Sequence, residues 1–226
     1  MLSQTIKQSN FDLYWQTRDL EKADLRSQQR SEIVYSLLSQ KAGRLLDAGC
    51  GRGWNSAFFQ QKGFNVEAFD ISPEAIELTR QRGIPAQVLD LEQSQLEGEY
   101  DVILCLEVLQ FVIDPLKVLL KLESALKPRG ELILSLPNEF HILRRIKILF
   151  GQPDLGGYNA PHIRFFSPKE IRRLIRSTGL EIVNAHPVSF IPPSFGYLSR
   201  MGDFLARIFP GLFSLSLLLK TTKRAR

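Results

Sequence analysis

The residues best suited to chemistry stand close together near the start of the chain. Leu45-Leu46-Asp47-Ala48-Gly49-Cys50-Gly51-Arg52-Gly53 runs a short apolar strand into a turn of alternating glycines, with an acid at its mouth. Glycine lets a backbone turn sharply and approach a ligand closely. The run from Trp54 to Lys62 reads as a helix, whose first N–H groups lack intrahelical partners. A strand, a glycine turn and a helix N-terminus in that order mark a ligand crevice at the carboxyl end of a parallel strand. Two residues narrow the ligand. Trp54 stands where a dinucleotide-binding G-x-G-x-x-G needs its last, small residue. Asp47 would repel a diphosphate but suits a cationic amino group. The expected ligand carries a ribose and a positive charge and lacks phosphates, and S-adenosylmethionine fits that description.

A second acid supports the ribose. Asp70 ends the strand-like run Asn65–Asp70, seventeen residues after Gly53. That spacing suits a bidentate hold on ribose hydroxyls. Ser72-Pro73-Glu74 opens a helix, with Ser72 as the expected cap and Pro73 at the first helical position, which would leave Asp70 for the ligand. Ile71 follows, either covering an adenine face or packing in the ordinary way.

Asp47-Ala48-Gly49-Cys50-Gly51-Arg52-Gly53 resembles the first motif of class I S-adenosylmethionine-dependent methyltransferases. The resemblance implies a cofactor set of Asp47, Gly49, Cys50, Gly51, Gly53, Asp70 and Ile71. It adds Asp90 and Leu91, at the end of Ala86–Leu91, on the adenine edge; the other reading of Asp90 is a solvated loop acid. It also adds Cys105, Leu106 and Glu107, at the end of the apolar strand Tyr100–Glu107, along the methionine arm; Glu107 could instead be a surface residue. Many relatives carry a histidine where Phe111 or Gln110 stands here, so one candidate base is missing. The Lys127-Pro128-Arg129-Gly130-Glu131 turn is similar to the family's turn from fourth helix to fifth strand.

The elements that would position these residues alternate strand and helix over 226 residues of 44% hydrophobic content. That length and pattern predict an α/β domain. The expected architecture is a Rossmann-like, doubly wound, seven-stranded sheet, mostly parallel, with an antiparallel last strand (Leu212–Thr221) inserted between strands five and six. One domain is expected, with an N-terminal helical cap over 1–40, a cofactor half over 41–136 and a substrate half over 137–226. In the cap, Tyr14 and Trp15 either help close the site or simply pack. Cys50 and Cys105, the only cysteines, have neither metal-ligand spacing nor a disulfide framework, so no metal is expected. Met1 to Asn10 is polar and lacks the apolar run of a signal peptide, so the expected location is cytoplasmic.

The substrate half holds a long connection over 137–167, read as a lid. Its candidate helix, Glu139–Phe150, mixes apolar residues with Arg144, Arg145 and Lys147. Such a helix can pack as a lid or lie on an anionic membrane surface. From Glu139 to Arg176 eight basic residues face three acids. Arg172, Arg173 and Arg176 read as a solvated helix face opposite Ile171, Leu174 and Ile175. Without aromatic interleaving, nucleic acid is a weak expectation. His162 ends the lid loop, five residues before the capping box Ser167-Pro168-Lys169-Glu170. It can orient or deprotonate a substrate hydroxyl near neutral pH, or make a structural loop hydrogen bond. Tyr158 and Arg164 are weaker lid candidates, and His141 and His186 read as structural. The Pro137-Asn138, His141, Arg144 and Pro161-His162-Ile163-Arg164 runs resemble the ubiquinone-biosynthesis O-methyltransferases and the methyltransferase-like family named for methionine biosynthesis. These resemblances fix no acceptor; the expected activity is methyl transfer to oxygen or carbon of a small molecule, which could be lipid-linked or a glycan. The alternatives are a non-catalytic, partner-dependent relative and an RNA methyltransferase.

Overall fold

The computed structural model describes residues 11–12, 20–152, 162–191 and 195–224. Tyr14, Trp15 and Tyr158 lie outside the described residues. The chain runs α1 (Leu20–Leu37), β1 (Gly43–Ala48), α2 (Trp54–Gln61), β2 (Phe64–Asp70), α3 (Pro73–Gln81), β3 (Ala86–Val88), β4 (Tyr100–Leu106), α4 (Pro115–Ser124) and β5 (Leu126–Pro137). It continues with α5 (Ile142–Leu149), α6 (Pro168–Arg176), β6 (Leu180–Ser189), α7 (Tyr197–Ile208), α8 (Pro210–Phe213) and β7 (Ser214–Lys223).

The seven strands form one sheet in the order β3-β2-β1-β4-β5-β7-β6. The pairs from β3 to β5 are parallel, and β7 runs antiparallel between β5 and β6. This is the expected Rossmann-like arrangement. Strand order reverses between β1 and β4, so the loops after these two strands part there and open a crevice. Central strands are apolar on both faces because helices cover both. Leu45, Val102, Leu104 and Ile133 pack with Val34 of α1, Phe59 of α2 and Ile76 of α3. Leu46, Ile103, Leu132 and Leu134 pack with Leu119 and Leu122 of α4 and Ile171 and Ile175 of α6.

Local signals hold at the helix starts. Ser72 accepts from Ala75 N–H at 3.2 Å with Pro73 at the first position of α3. Asp114 caps α4 through Lys117 N–H at 3.0 Å, and Ser167 and Glu170 form the reciprocal capping box of α6. Arg172, Arg173 and Arg176 are exposed around buried Ile171 and Ile175, as expected of a solvated face. One boundary differs. The expected Lys127–Gly130 turn belongs to β5: Tyr100 pairs with Leu126 and Val102 with Glu131, so these residues make a register irregularity inside the strand. Pro128 has no N–H to give a ladder, and a Cβ at Gly130 would lie 2.9 Å from the Tyr100 carbonyl.

The end of the chain corrects another reading. In the sequence, Lys220 to Arg226 reads as a basic tail, either disordered or in contact with anionic lipid. Lys220 instead lies within β7 and is buried, its Nζ 2.6 Å from Glu131 Oε1 of β5. It also donates to the Leu37 carbonyl at 2.9 Å and Ser39 Oγ at 2.7 Å, while Ser39 N–H donates to the Glu131 carboxylate. This buried charge network fastens the antiparallel strand to β5 and to the end of α1. Removing one partner of a buried pair leaves the other uncompensated. Lys220→Met is therefore expected to lower unfolding free energy by about 3–5 kcal/mol in urea denaturation, and Glu131→Gln in the same chain to restore part of it.

Candidate active site

The crevice at the β1/β4 switch point widens into a cavity of about 740 Å³. Its walls come from both halves of the chain. Gly49, Cys50, Gly51, Asp70, Ile71, Asp90, Leu91, Leu106 and Glu107 line it, as does His162. Asp47, Gly53 and Cys105 do not: Asp47 and Cys105 are fully buried behind the wall.

The glycine turn explains that division. Gly49, Gly51 and Gly53 all have positive φ, at 84°, 54° and 76°, a region costly for residues with a Cβ. A Cβ at Gly49 would meet Val108 Cγ2 at 2.3 Å, and one at Gly53 would meet Thr79 Oγ1 and Cγ2 at 2.8 Å. Gly53 thus serves the packing of α3 against the turn and also forms the left-handed N-cap of α2. Trp54 opens that helix at the cavity edge, with the Arg82 guanidinium 3.8 Å from its ring centroid.

Asp47 accepts a hydrogen bond from Ser56 Oγ at 2.6 Å, and its Oδ1 has no protein partner. Burial pushes its pKa up to about 6, against the Ser56 hydrogen bond and the attraction of Arg30. Asp70 was expected to be left free by the Ser72 cap. The cap forms, yet both Asp70 oxygens accept backbone N–H groups: Oδ2 from Gly51 at 2.8 Å and Oδ1 from Ser72 at 3.0 Å. Each oxygen keeps a second lone pair, and the carboxylate still faces the cavity. Burial raises its pKa despite these bonds. Asp90 Oδ1 accepts from Glu92 N–H at 2.9 Å, while its buried Oδ2 has no partner. An acceptor left bare in a cavity wall suits a ligand N–H donor, such as the amino group of an adenine.

Glu107 is the one non-glycine residue with positive φ, at 59°, among the described residues. Strain of this kind gathers at functional sites. Its carboxylate accepts from Ser135 Oγ and lies 3.9 Å from Arg30 Nη1. Arg30 comes from α1, whose sequence has little chemical pattern, and no motif pointed to it. Neither cysteine is poised as a nucleophile. Burial raises Cys50 well above the usual thiol range and pushes Cys105 up to about 12.

The lid contributes more than His162. Glu139 is buried, with its Oε1 2.7 Å from His162 Nδ1 and its Oε2 paired with Arg144. The His162 ring packs edge-on to Phe111, with centroids 5.0 Å apart, and Phe111 meets Phe11 in the same way at 5.2 Å. Ile163 and Arg164 N–H groups donate to the Gln110 carbonyl at 2.8 and 3.0 Å, and Arg164 Nη2 donates to the Ile113 carbonyl at 2.6 Å. Arg164 is therefore an anchor of the lid and does not line the cavity. His141 and His186, read as structural, both line the cavity instead. Burial lowers the pKa of His162, His141 and His186, so all three tend toward the neutral imidazole. No group of three metal-ligating side chains occurs among the described residues.

Comparison with known proteins identifies the family. A methyltransferase-domain family matches residues 14–185, most of the chain. The chain belongs to the class I S-adenosylmethionine-dependent methyltransferases. It is 32% identical over 174 residues to a ubiquinone biosynthesis O-methyltransferase of Xanthomonas oryzae pv. oryzae, covering 72% of this chain and 73% of that one. The Xanthomonas axonopodis pv. citri protein of the same name is 28% identical over the same shares. In fold, the chain is similar to magnesium protoporphyrin IX methyltransferase from Synechocystis PCC 6803 with bound S-adenosylmethionine. That match has a TM-score of 0.66 and 20% identity, and covers 98% of this chain and 97% of that one. The 1,6-didemethyltoxoflavin-N1-methyltransferase of Burkholderia thailandensis matches with a TM-score of 0.67 and 20% identity, covering 98% and 88%. The cofactor of this methyltransferase is S-adenosylmethionine.

The buried Asp47 of this methyltransferase has a measurable signature. Between pH about 4 and about 6 the folded chain holds a proton that the unfolded chain has lost. Stability from this group therefore falls as pH rises through that window, and above it folding carries the cost of an ionised buried carboxylate. Asp47→Asn keeps an acceptor for Ser56 and removes that cost. It is expected to raise ligand-free stability near neutral pH by up to about 3 kcal/mol and to change nothing below pH about 4, measured by denaturation across pH.

Proposed function

We propose that this methyltransferase moves a methyl group to a hydroxyl of a small-molecule acceptor, with His162 as the base. The observation that carries this reading is the Glu139–His162 pair in the wall of the cavity that also contains the cofactor crevice. When bound, S-adenosylmethionine supplies a methyl group on a sulfonium whose positive charge already makes it a good leaving group. The protein's task is then mainly proximity and orientation.

In this reading the crevice residues divide the cofactor among them. Asp70 takes the ribose hydroxyls with its remaining lone pairs, and the bare Asp90 Oδ2 takes the adenine amino group, beside Ile71 and Leu91. The amino-acid end of the cofactor is a zwitterion and needs one cation and one anion. Arg30 and Glu107, 3.9 Å apart, form such a pair. Gly49 and Gly51 let the backbone approach. Asp47, held behind the wall by Ser56, fixes the turn rather than touching the ligand.

On the acceptor side, Arg144 lies against Glu139, and the Glu139 carboxylate 2.7 Å from His162 Nδ1, close but without hydrogen-bond geometry, favours a proton on that nitrogen. Nε2 is then left as the acceptor of a hydroxyl proton. Burial, which keeps the ring neutral, favours this role. If Phe111 or Gln110 stands where many relatives carry histidine, as the resemblance implies, His162, which packs on the Phe111 ring, can supply an imidazole from the lid. The ubiquinone-biosynthesis relatives are O-methyltransferases by name, in keeping with transfer to oxygen, and a lipid-linked or glycan hydroxyl would fit a cavity of this size.

Calorimetry with S-adenosylmethionine tests the cofactor half of this reading. Asp70→Ala is expected to weaken binding about 10- to 100-fold, and undiminished affinity would count against the assignment. Labelled-methyl transfer to phenolic, glycosyl and polyprenyl acceptors tests the other half. His162→Ala is expected to lower kcat about 100-fold or more with cofactor affinity intact. Glu139→Gln should lower it less and displace the acidic limb of the pH–rate profile. Product methylated on nitrogen alone, or full activity in His162→Ala, would overturn the role of the base.

A further inference from the structure

The cavity extends past the cofactor crevice, along the part of the sheet that β5, β7 and β6 share. Ser135, Leu218 and His186 stand abreast there in register, and residues directly opposed across a ladder project to one face. Ser135 Oγ donates to Glu107, so this row begins at the cofactor end. With neighbouring strands about 4.8 Å apart, His186 stands about 10 Å farther along it. His186 of β6 and Asp203 and Arg207 of α7 all line the cavity. The charges of Arg207 and Asp203 both reach the His186 ring, which burial keeps neutral. Asp203 and Arg207 are one helical turn apart, the spacing of a favourable ion pair. Among the described residues they nevertheless form none, and the His186 side chain makes no hydrogen bond. Phe190, also on the wall, lies stacked against Phe213 of α8 with ring centroids 6.4 Å apart, which holds its ring in place.

Charge narrows what these side chains can hold. At the cofactor end the wall carries Asp70, Asp90, Glu92 and Glu107 against Arg30 and Arg52, an excess of acid that suits a cationic ligand. Toward α7 the charges balance, Glu139 against Arg144 and Asp203 against Arg207. An apolar tail seated on Asp203 and Arg207 would strip water from two charges and return no partner. An anion would meet Asp203, and a cation would meet Arg207. An uncharged group dense in hydroxyls satisfies both, and His186 as well, because every hydroxyl can donate and accept. The apolar face of a sugar ring has Phe190 to pack on. We propose that His186, Asp203 and Arg207 form a specificity site for an uncharged glycosyl group on the acceptor. The proposal rests on the reading that this cavity seats an acceptor beside the cofactor, and it adds the chemical class of that acceptor. The three side chains position the acceptor and leave the proton transfer to the lid.

Saturation-transfer NMR on the full chain, loaded with S-adenosylhomocysteine, tests this. The probes are the methyl glycosides of glucose, galactose, mannose and rhamnose, with methyl glucuronoside and methyl glucosaminide as charged analogues. Saturation is expected to reach the ring protons of at least one neutral glycoside, bound more tightly than either charged analogue. Asp203→Ala and Arg207→Ala should each weaken that binding about tenfold. Asp203→Asn and Arg207→Gln keep a hydrogen-bonding head and should retain most of it, which a site built for an ion would not. With a glycosyl acceptor that is methylated, the alanine changes should raise KM and leave kcat nearly unchanged. Neither residue is assigned to the cofactor, so S-adenosylhomocysteine affinity should stay at the wild-type value and attest folding. No saturation of any neutral glycoside, tighter binding of a charged analogue, or unaltered affinity in the alanine variants would overturn the proposal. Methyl transfer to a phenol that still depends on His162 would, in any of those cases, leave the functional reading standing.

Discussion

The site depends on one hydrogen bond. Gly51 N–H donates to Asp70 Oδ2 at 2.8 Å and so ties the glycine turn after β1 to the end of β2. Neither end could hold its shape alone. The turn needs positive φ at three glycines, and the Asp70 carboxylate is buried at an energetic cost that its backbone partners offset only in part. Together they make a rigid crevice wall with acceptor capacity to spare. The same constraint accounts for Asp47: a carboxylate beneath this turn stiffens it through Ser56 on α2 and adds negative charge where a cationic ligand end is to be held.

Sequence patterns disclosed the parts of this arrangement that are local. Glycine spacing, a capping serine and an acid at a strand end are each set by neighbours within a few residues, and Gly49, Gly51 and Asp70 were legible from them, whereas Asp90, Leu91, Leu106 and Glu107 came only from the family resemblance. What they could not disclose was orientation. Asp47 and Asp70 carry the same chemistry, but one is sealed behind the wall and the other faces the cavity. Only the packing of α2 and α3 decides which. Cys105 and Leu106 are neighbours in a strand, so their side chains point to opposite faces; Leu106 lines the cavity and Cys105 does not. Arg30 and Glu139 were invisible for another reason. Each earns its place through a partner far along the chain, Glu107 for one and His162 for the other.

The lid is likewise held by groups that no motif marks. The Gln110 carbonyl receives two N–H groups from the residues after His162, and Phe111 meets the imidazole face to edge. The short stretch after β4 therefore docks a histidine from 51 residues downstream of Phe111. A backbone carbonyl can do this with any side chain attached, which is why the contact leaves no trace in residue types.

The basic charge of the chain shows how little a count conveys. Lys220 is buried and neutralised by Glu131, and Arg144 is spent on Glu139. Arg172, Arg173 and Arg176 solvate the outer face of α6. Arg200 remains exposed beside apolar residues of α7. One formal charge thus does four kinds of work: fastening a strand, pairing with a buried carboxylate, keeping a helix in water and bordering an apolar surface. Desolvation separates the first two from the last two. A charge that loses its water must find a counter-charge within the fold, whereas one that keeps its water stays available to a partner outside it.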